Sequence, residues 1–356
     1  MIRICNTLVS NGYQVTLVGR NMAGSAPLAP KPFAQKRLPC FFEKGALMYA
    51  EFNIRLFIWL LRQRAHCLCA IDLDTILPVL WASRLRGSFR VYDAHELFCE
   101  MKEVVTRPSR YRIWKWIERY AVPQFQQGYT VCAPIADEFR KLYGVAYGVI
   151  RNLPFRTIAS ETSEKDFSGT QLQLPPGPFF LYQGAVNEGR SFETLIPAMK
   201  YVKLPLVILG DGNFYRQVQQ LIVQHQLQQK VFLAGKLQPM ALRRITPLAY
   251  AGITLFENNG KSNYLSLANR FFDYIQAGIP QLCVNYPAYR EINEAYEIML
   301  PITDLSAENI ARHLNFLADD RVVYERLQEN CRKAAAYLNW EHESQQLILF
   351  YRNILG

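Results

Sequence analysis

Asn269-Arg270-Phe271-Phe272-Asp273-Tyr274-Ile275-Gln276-Ala277-Gly278-Ile279-Pro280 is the stretch on which the reading of the fold turns. A polar, Gly-containing segment precedes it at residues 256–263, and Gln281-Leu282-Cys283-Val284 follows as a short apolar strand. The pattern predicts a loop, a short helix stopped by Gly278-Ile279-Pro280, and a buried strand. Asn269 and Asp273 are four residues apart and share one helix face. A helix start leaves backbone N–H groups unpaired and favours an anion there by roughly 0.3–1 kcal/mol. A carboxylate one turn further on can hold a ribose diol. The unit therefore suits a nucleoside diphosphate.

Alternation on either side extends the pattern. In the second half, Phe179-Phe180-Leu181-Tyr182-Gln183-Gly184 reads as a strand that turns through Ala185-Val186-Asn187-Glu188-Gly189-Arg190 into a helix. Such a Gly-containing turn lets phosphate approach the backbone, and Arg190 adds a charge-assisted donor. Strands at 206–209 and 231–236 and at 251–256 follow, with Gly210-Asp211-Gly212 and Gly235-Lys236 at two of their ends. The first half alternates in the same way: a helix to Asn11, strands at 14–20 and around 36–38, a helix at 47–64, and the strand Cys67-Leu68-Cys69-Ala70-Ile71. A helix at 76–85, capped by Asp74 or Thr75, leads to the strand Phe89-Arg90-Val91-Tyr92, which ends in the polar cluster Asp93-Ala94-His95-Glu96. Ligands of open α/β sheets bind at such carboxyl ends. Residues 155–177 lack periodicity and mark a domain boundary. The fold class is α/β, with two Rossmann-like domains facing a cleft at 1–154 and 155–338, and a closing helix at 339–356 that returns to the first.

The segments Asp93-Ala94-His95-Glu96, Gly184 to Arg190 and Asn269 to Pro280 resemble retaining glycosyltransferases of the GT-B fold, the glycosyl transferases group 1 family. The resemblance covers nearly the whole chain. It implies a transferase that moves a sugar from a nucleotide-diphosphate donor to an acceptor hydroxyl with retention. The nucleotide-sugar is substrate, and no cofactor or metal is implied. Catalytic roles fall on His95 and Arg190. Donor-binding roles fall on Gly184, Asn187, Gly210, Gly235, Lys236, Lys261, Leu267, Ala268, Asn269, Arg270 and Asp273. Asp273 stands where the family has the second Glu of a Glu-x7-Glu pair, and Arg270 stands where it has Lys. Leu265 replaces the first Glu, and Ala185 replaces a turn Arg. In the family a first strand and Gly-rich turn precede the opening helix. Their lack here implies a first domain without its first strand, through truncation or an upstream start, and a gap between the strands ending at Gly19 and beginning at Cys67. The implied acceptor is a glycan or glycolipid, as in cell-envelope glycan synthesis. A catalytically inert protein that keeps the fold and binds partners is the alternative.

Composition bounds the rest. Half of the 356 residues are hydrophobic, and the apolar runs are far shorter than the roughly 20 residues of a membrane span. No signal peptide is evident, so a cytoplasmic location is expected, with a peripheral position at the inner membrane face as an option. The eight cysteines lie in apolar segments without metal-ligand spacing and read as reduced core residues. The net charge of +10 is uneven: residues 1–150 hold 20 Lys+Arg against 11 Asp+Glu, whereas the remainder is nearly neutral. Residues 107–119 mix Arg107, Arg110, Arg112, Lys115 and Arg119 with Trp114, Trp116 and Ile113, a composition suited to an anionic membrane interface. A core helix with a solvated cationic face accounts for the same residues equally well. No nucleic-acid motif accompanies the charge, so no nucleic-acid partner is expected.

Overall fold

The computed structural model describes residues 1–156 and 174–356. The rest of the boundary segment expected at 155–177, residues 157–173, lies outside the described residues. The chain divides into two compact units, one of Met1–Arg151 with His342–Gly356 and one of Asn152–Glu341.

Unit one begins with α1 (Ile2–Ser10), β1 (Thr16–Arg20) and β2 (Ala34–Leu38). It continues through α2 (Gly45–Leu61), β3 (Cys67–Ile71), α3 (Ile76–Arg86) and β4 (Phe89–Ala94). The short α4 (Lys102–Val105) and α5 (Pro108–Ala121) precede β5 (Gln127–Thr130), α6 (Ala133–Tyr143) and β6 (Gly148–Val149). Strands β3-β4-β5-β6 form one parallel sheet in sequence order. β1 and β2 form a separate parallel pair, so the strands containing Gly19 and Cys67 belong to different sheets. Burial of Ala70, Val91, Tyr92 and Ala94 to 1% exposure or less shows that both faces of this sheet are covered, as parallel sheets require. Capping of α3 differs from expectation. Thr75 stands at the N-cap, but its hydroxyl donates to the Ile71 carbonyl at 2.7 Å and makes no cap bond. A short 3-10 turn at Leu73–Thr75 precedes the helix and draws that hydroxyl backwards.

Unit two alternates without interruption. Its elements are β7 (Phe180–Gln183), α7 (Phe192–Ala198), β8 (Leu206–Leu209), α8 (Tyr215–Gln224) and β9 (Val231–Leu233). They continue with α9 (Pro239–Ile245), β10 (Ala251–Thr254), α10 (Lys261–Leu265), α11 (Asn269–Gln276) and β11 (Gln281–Val284). α12 (Pro287–Tyr296), β12 (Met299–Ile302), α13 (Ala307–Asp319) and α14 (Arg321–Ala335) complete it. All six strands are parallel in the order β12-β11-β10-β7-β8-β9. Every residue of β7, β8, β10 and β11 is buried, which explains their continuous apolar runs. From β7 the chain winds outward to β9, then returns to β10 on the other side of β7. The order therefore reverses between β7 and β10, the kind of switch point at whose carboxyl ends ligands of open α/β sheets bind.

A last helix, α15 (Trp340–Leu355), ends the chain. Within unit one its Phe350 ring meets Tyr129 of β5 edge-on at 5.1 Å, and Glu343 accepts the Arg151 backbone N–H at 2.6 Å.

Candidate active site

Close backbone packing builds the carboxyl edge of the unit-two sheet. A Cβ on Gly210 would lie 1.8 Å from the Gly184 carbonyl oxygen, so only glycine fits where the loops after β7 and β8 cross. The two loops are stitched by Val186 N–H to Asp211 O and by Phe214 N–H to Val186 O, both at 3.0 Å. The Asn187 Oδ1 accepts from the Asn213 backbone N–H at 3.1 Å, so that side chain holds the loop. Gly184 has φ 119, a conformation a side chain would strain, and the space beside its Cα is taken by an Arg270 Nη1 atom 3.3 Å from the ideal Cβ position.

α11 is fixed against β7 through Gln183, which is 1% exposed. Its backbone N–H donates to the Tyr274 hydroxyl at 3.1 Å, and its carbonyl accepts Arg270 Nη1 at 3.1 Å. Its side-chain amide donates to Asp273 Oδ2 at 3.0 Å and accepts from Thr246 at 2.8 Å. Gly252 in β10 makes this possible, because a Cβ there would stand 2.3 Å from the Tyr274 ring. Sequence reading treated Gln183 only as the end of a strand. A polar residue closing a buried apolar run is the signal that could have singled it out.

Two arginines converge at this edge. The Arg190 guanidinium lies over the Phe256 ring at 4.2 Å, and the Arg270 guanidinium lies over the same ring at 4.8 Å. Their central carbons are therefore no more than about 9 Å apart, Arg190 in the loop after β7 and Arg270 on α11 after β10, on the two sides of the switch point. Arg270 also stacks on Tyr182 at 4.3 Å. It is 7% exposed, and its Nε and Nη2 atoms are buried with no hydrogen-bond partner. Two unsatisfied guanidinium nitrogens in a native interior call for an explanation, and an anion supplies one. Phe256, 5% exposed, is the platform on which the cations are held; the sequence places it where a strand runs into a polar loop and gives no sign of that role.

The other predicted donor residues are distributed around this pair. Asp273 is half-buried on α11, one turn from Asn269, which is exposed and accepts from the Asn152 amide at 3.0 Å. Lys261 is exposed at the start of α10, a helix that replaces the end of the expected loop. Gly235 (φ 68) ends the segment after β9, with exposed Lys236 beside it. Leu267 is half-buried ahead of α11. The Ala268 N–H, expected among the open donors of the helix start, instead donates to Tyr289 Oη at 2.9 Å. Leu265, where the family has an acid, is buried at 8% exposure.

His95 belongs to unit one, just past β4. Its backbone N–H donates to Asp72 Oδ1 at 2.8 Å, and its Nε2 lies 3.2 Å from Asp93 Oδ1. Asp93 also accepts from the Tyr129 hydroxyl at 3.1 Å. Burial opposes protonation of His95, but the adjoining Asp93 carboxylate, with Asp72 behind it, carries its pKa above the ordinary value. Burial raises the Asp72 carboxyl to about 7, against the opposing pull of His95. Asp72 thus holds the His95 backbone, and Asp93 faces the imidazole at ion-pair distance.

The comparisons with known proteins agree with this architecture. Residues 1–154 match the model of Glycosyltransferase Family 4, and residues 165–335 match that of Glycosyl transferases group 1. Curated protein sequences give no match. Among solved structures, the chain is similar to sucrose-phosphate synthase from Thermosynechococcus elongatus, with a TM-score of 0.77 and 17% identity over 99% of this chain and 92% of that one. It is similar to WaaG, a glycosyltransferase involved in lipopolysaccharide biosynthesis, with a TM-score of 0.74 and 16% identity over 98% and 94% of the two chains. It also resembles Anabaena HepE in complex with UDP, with a TM-score of 0.67 and 12% identity over 90% and 87%. With family models matching both halves in turn, and an α/β fold shared with these structures, the chain is a glycosyltransferase of the GT-B fold, its first half matching Glycosyltransferase Family 4 and its second half Glycosyl transferases group 1.

Proposed function

We propose that the chain transfers a sugar from a nucleoside-diphosphate donor to a hydroxyl of a glycan or glycolipid acceptor, with retention of configuration. The observation that carries the reading is the pair Arg190 and Arg270 on Phe256, with two buried Arg270 nitrogens awaiting an acceptor. The diphosphate would take those nitrogens, Arg190, Lys261 and the amides at the start of α11. As the sugar–phosphate bond breaks, negative charge grows on the departing diphosphate, and fixed cations at that position stabilise it more than they stabilise the intact donor. Asp273 would accept from the ribose hydroxyls while Gln183 holds it in place. Gly235 and Lys236 are assigned to the base. His95 is the residue of unit one assigned to the sugar, oriented by Asp93. The mechanism needs no metal-bound intermediate, since the guanidinium pair can supply the charge.

UDP is the first nucleotide to test, since the HepE structure is a complex with UDP. Titration with UDP, GDP and ADP, followed by turnover assays of the matching nucleotide-sugars on glycan acceptors, tests the reading. Saturable binding of one diphosphate and product formation support it. No binding to any of the three overturns it. Binding without turnover favours the second reading, an inert GT-B protein that retains the nucleotide seat; Leu265 in place of an acid and Ala185 in place of a cation support that reading. A role in cell-envelope glycan synthesis belongs to the same proposal, as does a cytoplasmic location.

A further inference from the structure

Helices α3 and α5 of unit one carry an apolar and cationic face that takes no part in the nucleotide seat. α5 faces inward through Trp114, which packs on Phe98 at 4.9 Å and edge-on to Tyr49 at 5.1 Å, and through buried Glu118. Lys115 belongs to that inner side, since it pairs with Glu118 at 2.8 Å and Glu100 at 3.2 Å. The outward stripe is apolar: Ile113 is 61% exposed and Trp116 63% exposed, and Trp116 stacks on Tyr120 at 5.8 Å with the rings 6° from parallel. These residues recur at helical spacing, so they share one side. α3 extends the stripe, because Trp81, itself 43% exposed, lies beside the Tyr120 side chain, and Leu85 near it is 70% exposed. Isolated exposed apolar residues are ordinary, whereas a connected aromatic patch marks a contact surface.

The charge around the patch selects the partner. Arg112 and Arg119 stand four residues before and three after Trp116, and Arg84 stands three after Trp81; all three are exposed. α3 contains no acidic residue, and the only one on α5 is the buried, paired Glu118. Exposed Trp and Tyr between unopposed Arg match the headgroup layer of an anionic bilayer, where rings enter the interface and guanidinium groups meet phosphate. Among the described residues no helix is long and apolar enough to cross a membrane, so attachment here would be peripheral.

We propose that the outer face of α3 and α5 docks unit one onto an anionic lipid surface. The inference is independent of the nucleotide seat in unit two. The test is co-sedimentation of the full chain with phosphatidylcholine vesicles and with phosphatidylcholine–phosphatidylglycerol vesicles, together with Trp emission. Partition onto the anionic vesicles, a blue shift, and weakening by salt are expected. Arg112→Gln with Arg119→Gln should lower partition about 25-fold, roughly fivefold per charge. Trp116→Ser should remove most of the blue shift. Because these residues are exposed, thermal midpoint and nucleotide titration should stay at wild-type values, which separates lost docking from lost folding. Equal binding to neutral and anionic vesicles, or indifference to the variants, overturns the proposal. So does a concentration-dependent dimer abolished by Trp116→Ser without vesicle binding, which would assign the face to a second copy.

Discussion

Replacing Arg270 with Met separates a nucleotide-binding role from a packing role, because the structure gives the two opposite consequences. In the ligand-free chain the substitution removes cation–π contacts to Tyr182 and Phe256, about 1 kcal/mol each, and a charge-assisted bond to the Gln183 carbonyl, about 1.5–3 kcal/mol. It also removes two buried, unsatisfied nitrogens that cost about 1–3 kcal/mol each. Repulsion from Arg190 disappears as well, about 2 kcal/mol at 9 Å with an effective dielectric of 20. The losses come to about 3.5–5 kcal/mol and the gains to about 4–8 kcal/mol, so folding stability should hold or rise by up to a few kcal/mol. Nucleoside-diphosphate binding has no such compensation. Loss of charged hydrogen bonds to phosphate should weaken it by about 1.5–3 kcal/mol, or roughly 10- to 150-fold. Calorimetric titration and urea unfolding read the two quantities separately. A variant with unchanged affinity and several kcal/mol of lost stability would refute the reasoning and make Arg270 a core support.

Gly210→Ala should destabilise by about 2–4 kcal/mol or prevent folding, since its Cβ collides with the Gly184 backbone, and denaturant unfolding will show it. Gln183→Leu should cost about 2–4 kcal/mol by stripping partners from Asp273, Thr246 and their surroundings, with a matching fall in nucleotide affinity as Asp273 loosens. Asp72→Asn preserves the acceptor for His95 N–H and keeps the same side-chain size at a position of positive φ (54). The Asp72 carboxyl binds its proton more tightly when folded, from 3.8 to about 7, so its contribution to stability is full below pH 4 and is lost as pH rises through 7. The Asn variant should therefore be more stable above pH 7 by about 2 kcal/mol, allowing for partial exposure, and equal to wild type near pH 4, as thermal scans across pH will reveal.

The alternation of strands and helices was legible because both faces of each parallel strand are buried, leaving unbroken apolar runs such as Leu206-Val207-Ile208-Leu209. β12 was missed because Pro301 interrupts Met299–Ile302; an edge strand tolerates proline, since one side of its ladder has no partner. α10 was missed because five residues are too few for a periodic signal. Within the candidate site, Arg190 and Arg270 were visible from their positions in the turn and helix. Their meeting point on Phe256 was not, because residues 66 positions apart meet only through the order of strands. Gln183 was hidden for the same reason, since four of its partners come from α11 and the segment after α9. Ala268 shows the converse: its amide looked open in sequence but is taken by Tyr289, a contact across 21 positions.

The central claim is that Arg190 and Arg270 together seat a diphosphate at the carboxyl edge of the unit-two sheet. Its most direct test is a double-mutant cycle on affinity for the tightest-binding nucleoside diphosphate, using Arg190→Met, Arg270→Met and the double variant, with the parent nucleoside as reference. The account predicts a large loss in each single variant, a coupling of about 0.5–3 kcal/mol between them, and no change for the nucleoside. Equal affinity of nucleoside and diphosphate for the wild-type chain, or single variants that bind as it does, would contradict it.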